Sequence, residues 1–131
     1  MFTLSVKPRF GELDALGHIN HGASVVWFEL ARNPIFEIFD PTKEVSRKTF
    51  SLILVHSDYD YVEQLFYKYD VEIKTWIKHI GNKSFTICHE AWQNGRLCIK
   101  CNVVLVHYDF TNEKSTPIPE DKKLLLAEHL I

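Results

Sequence analysis

Residues 2–7 alternate, with Phe2, Leu4 and Val6 set against Thr3, Ser5 and Lys7. A period of two predicts a half-buried strand. Pro8 ends that strand or marks an edge. A loop with two glycines follows, RFGELDALGHIN. From about residue 21 to 39 the apolar content and the length predict a helix, with Asn20 as its N-cap. Val26, Trp27, Leu30 and Ala31 share one face by their spacing, and Val25 and Phe28 widen it. Such a broadly apolar helix is expected inside a wrapping sheet. Pro34 deletes one backbone hydrogen bond and is expected to kink the helix or divide it after Asn33.

From residue 50 onward the period returns to two. FSLILVHSDYDY is one predicted strand, and YDVEIKTWIKHI is a clearer one, with Tyr69, Val71, Ile73, Thr75 and Ile77 opposing a polar face broken only by Trp76. GNK (81–83) is a turn and SFTICHEAW a further strand. QNGR (93–96) carries Asn-Gly, a strong hairpin signal. LCIKCNVVLVHYD completes the predicted meander, TPIP interrupts the pattern, and EDKKLLLAEHLI reads as a short terminal helix. The order is one strand, one long helix, then four consecutive antiparallel strands. This predicts a single α+β domain over residues 1–131, with a curled antiparallel sheet around a central helix. Open sheet edges invite a second copy.

Composition narrows the classes. The 131 residues are 46% hydrophobic and carry a formal net charge of −2. Bulk charge therefore gives no reason to expect a nucleic acid or an anionic membrane as partner. No apolar run reaches membrane-spanning length and the first residues lack a signal-peptide pattern, so a cytoplasmic location is expected. The three cysteines, Cys88, Cys98 and Cys101, then read as reduced thiols. CIKC (98–101) lies within a predicted strand, where a three-residue spacing points the two thiols to opposite faces. No second ligand pair stands nearby, and the histidines show no metal spacing, so no metal is expected.

ELDALGHINHGASVVWFELAR (12–32) resembles the hotdog-fold acyl-CoA thioesterases, in the 4-hydroxybenzoyl-CoA thioesterase branch. The residues that carry the likeness are Asp14, Gly17, His18, Ile19, Asn20 and the helix end Ala31-Arg32. DYDYVEQLFYKYDVEIKTWIKHIGNKSF and PIPEDKK extend it in the same order along the chain. Glu12-Leu13 stands where the family commonly has Asp-Thr, and Ser24 where it commonly has Tyr.

The resemblance implies a hotdog fold and hydrolysis of an acyl-CoA, with no cofactor beyond the coenzyme A of the substrate. It also implies a homodimer or homotetramer with its sites at the subunit interface. Asp14 would be the general base or the nucleophile. The backbone N–H of His21 would polarise the thioester carbonyl, since the first N–H groups of a helix lack internal partners. The His21 imidazole either handles water and protons or only bonds locally. Gly17 would allow a backbone shape or a close approach, and His18 would hold the turn. Asn82, Lys83 and Ser84 at the hairpin either bind coenzyme A phosphate or form an ordinary solvated turn. Acyl carrier protein esters are an alternative substrate. A non-catalytic acyl-CoA-binding module and a hydratase are the rival readings.

Overall fold

Each long alternating segment forms a strand in the computed structural model, which describes residues 1–131. In chain order the elements are β1 (Phe2–Val6), α1 (His21–Ala31), α2 (Asn33–Phe39), β2 (Leu52–Tyr61), β3 (Val71–Ile80), β4 (Ser84–Gln93), β5 (Arg96–Asp109), the short β6 (Lys114–Ser115) and α3 (Glu120–Ala127). A 3-10 turn at Phe10–Glu12 precedes the glycine loop. The β4–β5 hairpin turns on Asn94 and Gly95, both at positive φ, as the Asn-Gly signal predicts.

The sheet is antiparallel and runs β1-β3-β4-β5-β2, with β6 beside the end of β5. The four strands after the helix are thus not a simple meander. β3, β4 and β5 are, but β2 crosses over to pair with the far side of β5, and β1 takes the place beside β3. Periodicity fixes which residues share a face, but it carries no information about which strand lies next to which.

The predicted long helix is two helices. Pro34 has no N–H to give to the turn before it, and the break falls one residue earlier than expected, at Arg32 (φ −84°, ψ −6°). Arg32 N donates to Glu29 O, and Arg32 O restarts the ladder by accepting from Ile35 and Phe36. The helix is also less enclosed than expected. α1 buries Ser24, Trp27, Phe28 and Ala31, packing toward β1 and β3. Of the face predicted to meet the sheet, Trp27 and Ala31 are buried while Val26 and Leu30 remain 58% and 50% exposed.

Twenty buried side chains form one core, including Phe28, Ile35, Ile73, Ile77, Phe85 and Val103. A bulge opposite Ala91 and Trp92 leaves Cys98 without a cross-strand partner. Alternation lapses there, so Cys98 and Cys101 are both buried and do not divide between an inner and a solvent face.

Candidate active site

The loop before α1 is tied to the helix by a carboxylate. Glu12 accepts from Arg9 N, from the Arg9 guanidinium and from Trp27 Nε1, the last at 2.8 Å. Burial pushes its pKa up, but these hydrogen bonds outweigh it and leave the carboxyl below its ordinary value. Glu12 O also accepts from Asn20 N at 2.7 Å. The two ends of the turn are therefore fixed to each other and to α1.

Asp14 sits inside that turn. Its N–H donates to His18 O at 2.8 Å and its carbonyl accepts from Gly17 N. Its Oδ1 accepts from Leu16 N at 2.9 Å and from His18 N at 3.1 Å. Those donors, His18 first and Leu16 next, hold the carboxyl below its ordinary range, so it is ionised near neutrality. Oδ2 has no hydrogen-bond partner. Gly17 allows this shape through its backbone: its φ is +79°, while a Cβ there would meet nothing within 4 Å. Within this chain nothing approaches Gly17 closely. His18 holds the turn through its main chain, and its ring lies edge-on to Phe66 at 5.9 Å.

Asn20 caps α1, with Oδ1 accepting from Gly22 N at 2.8 Å. The His21 N–H is left without a partner. It therefore points the positive end of the helix at whatever lies outside. The His21 imidazole makes no hydrogen bond and stands edge-on to Tyr61 at 6.3 Å. Ser24 Oγ donates to His21 O at 2.7 Å.

Asp14 and His21 line one cavity of about 230 Å³. His18, Asn20 and Ser24 line it on the same side, and Tyr61, Glu63, Gln64, Leu65 and Ile99 close the other. Tyr61, Glu63, Gln64, Leu65 and Ile99 are not singled out as site residues by the sequence. Their one signal is the polar Glu63-Gln64 pair directly after a tyrosine-bearing strand, and nothing in the sequence shows that strand ending beside the loop of Asp14. A larger cavity of about 380 Å³ opens between Phe36 and Phe50. Its two acids are engaged, Glu37 with Lys43 and Asp40 with Thr42 and Val45 N, and it holds none of the expected site residues.

The hairpin of Asn82, Lys83 and Ser84 is a separate place. Asn82 and Lys83 are exposed and their N–H groups have no partner, while their carbonyls accept from Ile118 and His107. Ser84 pairs with Val106, at the opposite end of β5 from Ile99, which pairs with Tyr61. Seven residues of strand span about 23 Å. One chain therefore does not bring this hairpin to Asp14. No helix is long and apolar enough to cross a membrane.

A family model described as the thioesterase-like superfamily matches residues 8–128. Among solved structures, that of a predicted thioesterase from Bacillus stearothermophilus is 40% identical, with a TM-score of 0.93 over 99% of this chain and 96% of that one. A thioesterase from Thermus thermophilus, complexed with coenzyme A and Zn, is 24% identical, with a TM-score of 0.84 over 96% and 91%. A Staphylococcus aureus protein in complex with CoA is 15% identical, with a TM-score of 0.87 over 98% and 82%. The last two likenesses are of fold alone. No functionally curated protein matches.

Proposed function

The chain belongs to the thioesterase-like superfamily and is a thioester hydrolase, and we propose that it hydrolyses acyl-CoA esters in the manner of the hotdog-fold 4-hydroxybenzoyl-CoA thioesterase branch. The observation that carries this reading is the meeting of Asp14 and His21, the residue whose N–H opens α1 without a partner, on one cavity. Thioester hydrolysis needs an activated oxygen nucleophile and a donor for the charge that develops on the carbonyl oxygen. The unpartnered Oδ2 of Asp14 suits the first need and the unpartnered His21 N–H the second.

In the general-base route, Asp14 takes a proton from water as its oxygen attacks the thioester carbon. The His21 N–H and the helix dipole stabilise the resulting oxyanion. Collapse breaks the C–S bond, and the proton passes from Asp14 to the departing thiolate. In the nucleophilic route the Asp14 carboxylate attacks the thioester carbon, the C–S bond breaks and CoA leaves as thiolate, protonated by water, and a second water then cleaves the mixed anhydride. Single-turnover hydrolysis in ¹⁸O-water identifies the second route if label enters the Asp14 carboxylate, which happens when water attacks the aspartyl carbonyl of the anhydride, and rapid-quench trapping of the acyl-enzyme covers attack at the acyl carbonyl.

Asn82, Lys83 and Ser84 are proposed to hold coenzyme A phosphate through free turn amides and one ammonium. Their distance from Asp14 within one chain supports a dimer, or a larger assembly, in which one chain supplies Asp14 and another the hairpin. The likeness to coenzyme A-bound structures supports the same ligand. Thiol release from a panel of acyl-CoA and acyl carrier protein esters tests the reading. Turnover of CoA esters supports it. Turnover confined to carrier-protein esters, or saturable CoA-ester binding with no thiol released, overturns it in favour of the alternative substrate or of a binding module.

A further inference from the structure

A further cavity, of about 400 Å³, opens at the end of the sheet that carries the Asn82–Ser84 hairpin, and it shares no residue with the Asp14 cavity. Arg47 and Lys48, from the turn before β2, line it together with Tyr108 and Phe110, from the end of β5 and the turn after it. Phe50 lines both this cavity and the one beside Phe36.

The three rings are grouped. Between ring centres, Phe110 lies 5.0 Å from Tyr108 and 6.3 Å from Phe50, the latter pair with planes 15° apart. All three are half-buried, and Tyr108 and Phe110 take no part in the core. Aromatic side chains ordinarily bury their area in a core or an interface, so these two leave ring surface to something outside it.

The charges beside them are unspent. Neither Arg47 nor Lys48 makes an ion pair. The one acid on the wall, Asp109, is taken up by its own turn: Oδ1 accepts from Thr111 N and Asn112 N, and Oδ2 from Asn112 Nδ2 at 2.7 Å. Burial lowers the pKa of His107, the remaining titratable group but for the Tyr108 phenol, so its ring is neutral near neutrality. Two cations against one acid leave the wall positive on a chain whose formal net charge is −2.

The hairpin adjoins this cavity. Lys83 O accepts from His107 N, and Ser51 O accepts from Tyr108 N, both at 2.7 Å. Lys83 and the turn of Arg47 therefore flank β5 on its two sides, about 10 Å apart across two strand spacings. Lys83 makes no ion pair either. A ligand that satisfies this end of the sheet carries negative charge at two places and a flat ring beside one of them. Coenzyme A does so: its ribose bears the pyrophosphate, a separate 3′-phosphate and adenine. A guanidinium matches phosphate oxygens in pairs, and a base stacks on aromatic rings.

We propose that this cavity is the subsite for the adenosine 3′-phosphate end of coenzyme A. Arg47 and Lys48 hold the 3′-phosphate, Tyr108 and Phe110 meet the adenine, and the hairpin is left to the pyrophosphate. This rests on the acyl-CoA reading above, and it adds a reason for the choice of carrier. The phosphopantetheine arm of an acyl carrier protein has neither adenine nor 3′-phosphate, so the cavity selects CoA esters over carrier-protein esters.

One acyl group carried on CoA, on dephospho-CoA and on 4′-phosphopantetheine tests this. In wild type, kcat/KM is expected to fall about 10- to 100-fold at the first step, the worth of a charge-assisted hydrogen bond. Loss of the stacked base should lower it about 10-fold more at the second. Arg47→Gln together with Lys48→Gln should bring the ratio of CoA to dephospho-CoA ester near one, and Phe110→Ala should narrow the second step alone. Calorimetric titration of wild type with adenosine 3′,5′-bisphosphate and with adenosine 5′-phosphate needs neither a variant nor turnover. The bisphosphate should bind about 10-fold or more tightly. Equal use of the three esters by wild type, a first step unchanged by the double substitution, or equal binding of the two nucleotides overturns the proposal. Failure of the thioesterase reading looks different: none of the three esters releases thiol, and the titration alone then decides the role of the cavity.

Discussion

Asp14 uses its two oxygens differently. Oδ1 is spent on the turn, where Leu16 and His18 donate to it, and Oδ2 has no hydrogen-bond partner. The same donors that shape the turn favour the ionised form. A base must be ionised to act, so the acid limb of kcat/KM should lie below about pH 4, the ordinary aspartate value. A pH–rate profile with the best acyl-CoA checks this, and a limb centred near pH 6 would mean that a histidine governs the rate. The clustering of Asp14, Gly17, Asn20 and His21 within eight residues was legible in the sequence, while a role for Asp14 in the chemistry came from the family resemblance. Arg32 was not legible as a buried group. A charge at a helix end ordinarily reads as solvated, and only the break forced by Pro34 and the neighbouring His89 show otherwise.

At the scale of elements, the end of α1 is tied to the sheet in part by a histidine kept neutral, His89 on β4, which meets Arg32 Nη1 at 3.3 Å and Thr75 Oγ1 at 2.7 Å. The His89 pKa is pushed down to about 3, chiefly by burial and then by Arg32. Its folded value lies below its unfolded value of about 6.5. The unfolded chain therefore binds the proton first as pH falls, and stability is lost progressively between about pH 6.5 and 3. The slope from this one group is about 1.4 kcal/mol per pH unit. His107 and His129 are shifted in the same direction, mainly by burial, and add to it. Urea unfolding at pH 7, 6 and 5 should show the loss, and His89→Gln should reduce the slope by about one proton. Strand identities were legible because each strand repeats every two residues. The crossover of β2 and the bulge at Cys98 were not. Both depend on pairing between segments far apart in sequence, which periodicity does not encode.

Across the whole molecule, the features that need each other lie at opposite ends. Asp14 and His21 sit beside the last residues of β2, and the Asn82–Ser84 hairpin sits beside its first. If two chains build each site, chains carrying Asp14→Asn and chains carrying Lys83→Ala should complement when mixed. Each mixed dimer then holds one fully native site and one doubly altered site. Activity should rise above that of either parent after subunit exchange, and no rise would place the hairpin outside the site. The likeness in fold bears on the sheet and helices, but the chemistry stands or falls on one carboxylate. The most direct test is therefore thiol release by Asp14→Asn beside wild type, with the best acyl-CoA at neutral pH and with the fold of the variant verified by circular dichroism. Loss of a general base should lower kcat about 100- to 10,000-fold. A folded Asp14→Asn variant that hydrolyses as fast as wild type would contradict the account.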